Sequence, residues 1–328
     1  MTAKHADLNI NIQSDQFLNL DPNTIMKAAE LFNFQPTGEI HQLNSYENRV
    51  FEIKLENRTP VIAKFFRPQR WSKETIIDEH QFCFDLHNDG LSVGLPIKTP
   101  KTNESVLELN GINFCFYEKV RGRMMQEILL PQFEKMGALV ALLHNTGEKQ
   151  KAHHRNLFGP SNENKWPVLD QLYEVVSPEV RKDYFEIADF VFSELDQQLN
   201  ENEFIRIHGD LHRGNLLDNG QNEITLVDFD DFINGPVVQD LWMIFPDQDF
   251  TNTQEFELFL NGYEKLRHLD HQQLGIVPLL RSYRIINYAG WILQRWQDPS
   301  FPKIFPEFNT YRYWAEETDS LRKIASQF

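Results

Sequence analysis

Ile205 to Asp231 reads IRIHGDLHRGNLLDNGQNEITLVDFDD. Near its middle stands Asn219-Gly220, a pair that tolerates the positive φ of a tight hairpin turn, between the short run Asn215 to Leu217 and the apolar run Ile224 to Phe229. Folded about that turn, the two runs are antiparallel, so the start of the first lies beside the end of the second and Asn215 comes near Asp228. An amide oxygen and a carboxylate converging at a strand end are hard oxygen ligands, suited to Mg²⁺, which keeps waters and binds through few protein groups plus substrate phosphates. Five residues before Asn215, Asp210 offers a carboxylate able to accept a hydroxyl proton. A base, a metal site and little covalent chemistry asked of the protein make up the inventory of phosphoryl transfer.

His208-Gly209-Asp210, followed at five residues by Asn215 and then by Val227-Asp228-Phe229, resembles the catalytic and metal loops of the protein-kinase-like superfamily, in its aminoglycoside-phosphotransferase and choline-kinase branch. Gly209 stands where protein kinases have the arginine of H-R-D, Asp230 replaces the glycine of D-F-G, and no A-P-E follows. An activation segment clasped to that arginine is therefore not expected. Upstream, the resemblance makes Lys64, in VIAKFF, the lysine that holds the α/β-phosphates, and Glu79, in IIDEHQFCF, its ion-pair partner. The turn LNSYENRV (43–50) takes the place of the phosphate-covering loop without any glycine, and Ser45 there offers a hydroxyl and a backbone N–H. The run Phe114 to Glu118 would present main-chain groups to adenine.

LNSYENRV, KFFRP with Trp71 after it, DEHQF, HGDLHRGN, NGPVVQDLWM and RWQDPSFPK, spread from about residue 43 to about residue 303, together resemble the bacterial stress response kinase A family, Ser/Thr protein kinases on a small-molecule-kinase scaffold. The resemblance implies an α+β, bilobal protein-kinase-like fold: a small, mainly β N-lobe (1–118), a hinge (119–123) and a larger, mainly α C-lobe (124–328), with ATP and Mg²⁺ in the cleft. In that frame Asp210 and Asp228 are catalytic, Asn215 and Asp228 hold Mg²⁺, and Ser45, Lys64 and Glu79 serve ATP. The implied activity is transfer to Ser/Thr of proteins, this chain included, in a stress response. A kinase of amino alcohols, sugars or aminoglycosides would use the same apparatus, since specificity lives in the C-lobe pocket. A pseudokinase that binds partners without catalysis is a further reading, opposed by the presence of every catalytic residue.

The wider pattern agrees with two parts. Asp21-Pro22 reads as an N-cap with proline at the first helical position, before Ile25, Met26, Ala29 and Phe32 at helical spacing. Short β-rich runs follow (Val50 to Ile53, Val61 to Phe66), then a helix from Ser72 to about His87. SVLEL and INFCFYE, joined by Asn110-Gly111, form a hairpin. From Met124 onward helical patterning dominates, as at 133–147, 179–195 and 277–297, while 147–169 reads as a surface loop.

With 328 residues the chain can bury a real core in about two domains. A net charge of −16 opposes an extended nucleic-acid footprint. Two cysteines, Cys83 and Cys115, without metal-ligand spacing give no disulfide or zinc framework and fit a reducing compartment. The polar N-terminal arm has no apolar signal core and no run is long enough for a membrane span, so a cytoplasmic monomer without membrane partners is expected. The fifteen glycines never stand two apart, which removes G-x-G-x-x-G, and no G-K-[ST] occurs.

Taken singly, these residues have ordinary readings: Asp228 and Asn215 as turn residues, Lys64 as a solvated strand lysine, Glu79 as a helix-surface charge. His208, Asp210 and His212 alternate as a metallohydrolase cluster would, without a further ligand set. Asp240 reads as a structural helix N-cap that, as the resemblance implies, also braces the catalytic loop, and His153-His154 reads as a loop pair. The run 279–296, with Arg281, Arg284, Tyr288, Trp291 and Arg295, reads as a core-facing helix with its arginines on the rim; the resemblance, in which the C-terminal helices shape the acceptor pocket, implies alternatively that some of these residues meet substrate, without singling one out.

Overall fold

In the computed structural model, which describes residues 16–220, 223–245, 247 and 249–326, Asp21 caps the first helix, α1 (Pro22–Leu31), by accepting the amides of Asn23 (2.8 Å) and Thr24 (3.1 Å). The polar N-terminal arm lies outside the described residues. The chain divides into two compact units. One comprises the residues up to Ile128 with Ala152–Arg155 and His212–Phe232; the other comprises Leu129–Lys151, Asn156–Leu211 and Ile233–Phe328.

The first unit is built on β1 (Pro36–Leu43), β2 (Arg49–Leu55), β3 (Val61–Phe65), β4 (Leu107–Leu109) and β5 (Ile112–Glu118), paired antiparallel in the order β1-β2-β3-β5-β4. The β4–β5 turn has positive φ at Asn110 (54°) and Gly111 (77°), as a type I′ hairpin demands. Strand alternation sorts the side chains into two faces. Val61, Ala63, Phe65, Ile112, Phe114 and Phe116 join Phe32 and Phe34 in one buried cluster, in which the Phe32 and Phe116 rings are 4.8 Å apart. Each buried phenylalanine contributes roughly 2 kcal/mol. Lys64 and Cys115, opposite each other in register, point to the other face with Tyr117. There they meet α2 (Lys73–Asn88), whose N-cap Ser72 accepts the Thr75 amide. Its apolar spacing turns Glu79 and His80 inward, and Tyr117 Oη donates to Glu79 Oε1 (3.2 Å).

The short strand β6 (Arg123–Met124) returns in the same unit. Four more strands come from 205–235: β7 (Ile205–Ile207), β8 (Leu216–Asp218), β9 (Ile224–Leu226) and β10 (Ile233–Gly235). As the Asn-Gly turn predicts, β8 and β9 pair antiparallel, Leu216 opposite Leu226 and Asp218 opposite Ile224, and β6 completes their sheet in the first unit. In the second unit β10 pairs with β7, Ile233 opposite Ile207.

The second unit is otherwise helical: α3 (Gln132–Glu148), α4 (Pro167–Tyr173), α5 (Pro178–Gln198), α6 (Val238–Ile244), α7 (Gln254–Tyr263), α8 (Val277–Gln294), α9 (Phe301–Ile304) and α10 (Tyr311–Ala325). The helices expected at 133–147, 179–195 and 277–297 are α3, α5 and α8. Helices α3 and α7 touch through glycine: a Cβ on Gly262 would stand 1.7 Å from the carbonyl oxygen of Glu134, and one on Gly137 would stand 1.9 Å from that of Phe259. This approach brings His144 Nδ1 of α3 to 2.8 Å from Tyr263 Oη of α7. The architecture is thus α+β, with a mainly β N-terminal region and a helical C-terminal part. No helix of the described residues is long and apolar enough to cross a membrane.

The expected surface loop at 147–169 needs correcting. It contains the start of α4, and its Arg155 is buried in the first unit, drawn there by acidic and aromatic partners distant in sequence.

Candidate active site

In the second unit, β7 ends at Ile207 and the chain turns sharply through Gly209, whose φ of +82° is a conformation a side chain would resist. Two α6 residues fix this turn. Buried Asp240 accepts the amides of His208 and Gly209, both at 2.8 Å, and Gln239 Nε2 donates to the Gly209 carbonyl at 3.1 Å. His144 Nε2, 3.3 Å from Asp240 Oδ2, ties this brace to the α3–α7 contact. Asp240 therefore braces the loop as expected. It is not the N-cap of α6, a place held by Val237, because its carboxylate is already spent on the two loop amides. The Asp210 side chain that follows is met by Arg284 of α8, with Nη1 2.7 Å from Asp210 Oδ1. His208 and His212 each turn a ring nitrogen to a backbone amide, that of Asp210 (3.4 Å) and that of Gly214 (3.0 Å) respectively. Among the described residues no group of three or more His, Cys, Asp or Glu is arranged to hold a metal ion.

In the first unit, Asn215 closes a 3-10 turn before β8, and its carbonyl accepts the amide of Val227 (3.1 Å), setting it beside the residue before Asp228. Asp228 adopts φ of +63°, a left-handed kink directly after the strand run. Its carboxylate is 56% exposed and lies 3.0 Å from Lys64 Nζ. One carboxylate turned outward beside a buried asparagine fits a divalent ion that completes its shell with water and phosphate oxygens.

The expected Lys64–Glu79 ion pair is not formed. Lys64 Nζ is held by Asp228 and, at 2.5 Å, by Asp230. Glu79 pairs instead with Arg155, Nη2 to Oε2 3.3 Å, and Arg155 Nη1 donates to the Asp230 carbonyl at 2.6 Å. The cause is the acid at the D-F-G glycine position: Asp230 brings a third carboxylate to the lysine and leaves Glu79 to the arginine. Arg155 lies between Trp71 (4.1 Å to the ring centre) and Phe232 (4.7 Å), so its charge is both paired and stacked.

Burial alone would lower the Lys64 pKa, but Asp228 and Asp230 reverse this and hold it well above its ordinary value. Burial alone would raise Asp230, and Lys64 and Arg70 more than reverse it, so its carboxyl stays below the usual range. Burial raises Glu79, and Lys64 and Arg155 only partly offset it, so its carboxyl lies above the usual range.

The glycine-free turn at 43–50 is held by its own chemistry. Arg67 donates to the carbonyls of Glu47 (3.1 Å) and Tyr46 (3.3 Å), Asn48 Nδ2 donates to Asp230 Oδ2, and Ser45 Oγ accepts the Asn48 amide at 3.3 Å. Arg70 meets Asp231 at 2.5 Å. Asp230, Arg155, Asn48, Arg70 and Arg284 were not singled out by sequence as site residues. The acid in D-F-D is a readable signal for the first, and nothing local marks the others.

The phosphotransferase enzyme family matches residues 39–275. Stress response kinase A of Escherichia coli strain K12 is 32% identical over 314 residues, covering 94% of each chain. The serine/threonine protein kinase RdoA of Salmonella typhimurium strain LT2 is 32% identical over 316 residues, covering 95% of this chain and 94% of its own. Two solved structures share the fold. A microcompartment-associated aminopropanol kinase has a TM-score of 0.72 at 18% identity, over 92% of this chain and 98% of its own. Amicoumacin kinase hAmiN, solved with AMP-PNP, Ca²⁺ and Ami, has a TM-score of 0.71 at 21% identity, over 92% of this chain and 94% of its own. A glycine turn braced by Asp240 before Asp210, and a left-handed Asp228 bonded to the strand lysine Lys64, thus occur in a chain that belongs to the phosphotransferase enzyme family and, within it, to the stress response kinase A family of kinases.

Proposed function

We propose that this kinase transfers the γ-phosphoryl group of ATP, with Mg²⁺, to Ser/Thr hydroxyls of proteins, its own chain included, in the cytoplasm of a bacterium under stress. The observation that carries the reading is the 3.0 Å contact between Lys64 and Asp228, a phosphate-holding cation and a metal-holding carboxylate secured together. Asp210 orients the acceptor hydroxyl and takes its proton as the O–P bond forms and the bond to the ADP oxygen breaks. Asp228 and Asn215 hold Mg²⁺, which when bound supplies charge to the phosphates. Lys64 holds the α/β-phosphates, with Glu79 acting on it at a distance and through Arg155. Ser45 offers its backbone N–H to phosphate. The proposed division keeps residues 1–118 as the nucleotide-holding lobe, 119–123 as a hinge and 124–328 as the acceptor lobe. The name borne by the Salmonella relative, a serine/threonine protein kinase, supports the choice of acceptor.

A small-molecule kinase is the second reading, favoured by the fold shared with an aminopropanol kinase at a TM-score of 0.72. Purified protein with labelled ATP and Mg²⁺, offered protein substrates in one arm and small alcohols in the other, separates the two. Label on protein Ser/Thr, abolished in Asp210→Ala, supports the proposal. Label on small alcohols alone overturns the protein assignment.

A further inference from the structure

Helix α8 and its C-cap carry three arginines whose surroundings differ. Arg281 donates to the carbonyls of Phe245 (2.9 Å) and Asp247 (2.7 Å) and lies over Trp242, and Arg295 lies over Trp291; both serve packing. Arg284 points instead to Asp210, at 2.7 Å, with 41% of its side chain open to solvent.

The contact has two consequences. The loop's braces act on its backbone, since Asp240 and Gln239 hold the amides and carbonyl of residues 208–209. The Asp210 carboxylate itself is met by Arg284, in an ion pair of 2.7 Å. The second consequence concerns the acceptor. A hydroxyl that gives its proton to Asp210 must come within about 3 Å of that carboxylate, which brings its immediate substituents close to the guanidinium. An ammonium on a neighbouring carbon then meets a like charge. A neighbouring carboxylate meets a planar fork of N–H donors shaped to receive it.

We propose that Arg284 selects the acceptor, positioning Asp210 and favouring hydroxyls flanked by acidic groups, such as Ser/Thr in an acidic peptide segment, over hydroxyls flanked by amines. The inference rests on the kinase reading with Asp210 as base, and it names the acceptor class for that site. The net charge of −16 favours basic partners at long range, so a preference for acidic acceptors would have to arise locally, at this residue.

The test uses the full chain as wild type, Arg284→Ala, Arg284→Lys and Arg284→Glu, with labelled ATP and Mg²⁺. The acceptors are two peptides of equal length with a central Ser flanked by Glu or by Lys, and two small alcohols, glycerate and 1-amino-2-propanol. The wild type is expected to favour the Glu-flanked peptide by about tenfold in kcat/KM. Arg284→Ala should abolish the preference and lower kcat, Arg284→Lys should restore the preference with part of kcat, and Arg284→Glu should reverse it. Titration with a non-hydrolysable ATP analogue should give the same affinity in all four, separating a local effect from a folding defect. An equal peptide ratio in wild type and Arg284→Glu overturns the role of Arg284. If only the small alcohols are labelled, the protein reading fails; a glycerate preference that reverses in Arg284→Glu then upholds the inference, and an unchanged ratio overturns it. Label in none of the four acceptors overturns both.

Discussion

Lys64 Nζ lies 2.5 Å from Asp230 Oδ1, a buried pair formed with the residue that replaces the D-F-G glycine. The acid is also bonded by Asn48 of the 43–50 turn and lies 3.6 Å from Arg70. The strand lysine, the glycine-free turn and the metal loop therefore share one buried carboxylate.

Removing that carboxylate should strand the cations gathered around it. Asp230→Ala is expected to lower stability by about 3 kcal/mol or more, because breaking a buried pair leaves an uncompensated charge. Asp230→Asn, which still serves Asn48 with an amide, should lose less. Urea unfolding of both variants checks the order, and equal loss would show that the charge is not what matters.

Asp228 is more than half exposed and sits at positive φ, which asparagine tolerates. Asp228→Asn should therefore fold with a Tm near that of the wild type while losing Mg²⁺-dependent nucleotide binding and turnover. Nucleotide titration with and without Mg²⁺ measures this, and unchanged turnover would refute the metal role.

Glu317 of α10 is pushed up to about 7 by burial, against the opposing hydrogen bonds of Tyr313 and Tyr184, whose hydroxyl lies 2.9 Å away. Its folded pKa lies above its unfolded one. Its contribution to stability is therefore full below about pH 4.5 and is lost as pH rises through about 7. Glu317→Gln removes that titration, so variant and wild type should match near pH 4.5 and diverge by up to about 3 kcal/mol in the variant's favour near pH 8. Thermal melts across this range test it; a constant offset would contradict the protonation account.

Gly262→Ala drives a methyl into the Glu134 carbonyl, whose backbone has little freedom within α3. A loss of about 3 kcal/mol or more is expected in chemical unfolding. Nucleotide affinity, read in native buffer, should change less than stability does.

The elements legible in the sequence were those with local causes. Asp21 and Ser72 cap their helices because a short polar side chain reaches the first free amides, and Asn110-Gly111 and Asn219-Gly220 lie between the strands they were expected to join. Lys64 and Glu79 were placed by the resemblance, and strand alternation and helical spacing explain why both turn inward. Their partners did not, because Arg155 joins Glu79 across 76 residues of sequence, out of a stretch that is polar and aperiodic. The bracing role of Asp240 came from the resemblance, while its local pattern pointed to a cap, since a short acid in a helix's first turn can do either. Arg284 could be seen on a helix rim, but its reach to Asp210 depends on how α8 docks, which no periodicity encodes.

The first unit takes in residues 212–232, where Val93 bridges to Leu226 and the Phe82 ring lies 5.9 Å from Phe229 and 5.4 Å from Phe232. A ribosome making this chain therefore releases most of that unit long before the segment that completes its core. Vectorial synthesis cannot finish the first unit first: its N-terminal portion must wait, without the ring contacts of Phe82 to Phe229 and Phe232, until residue 232 has been made.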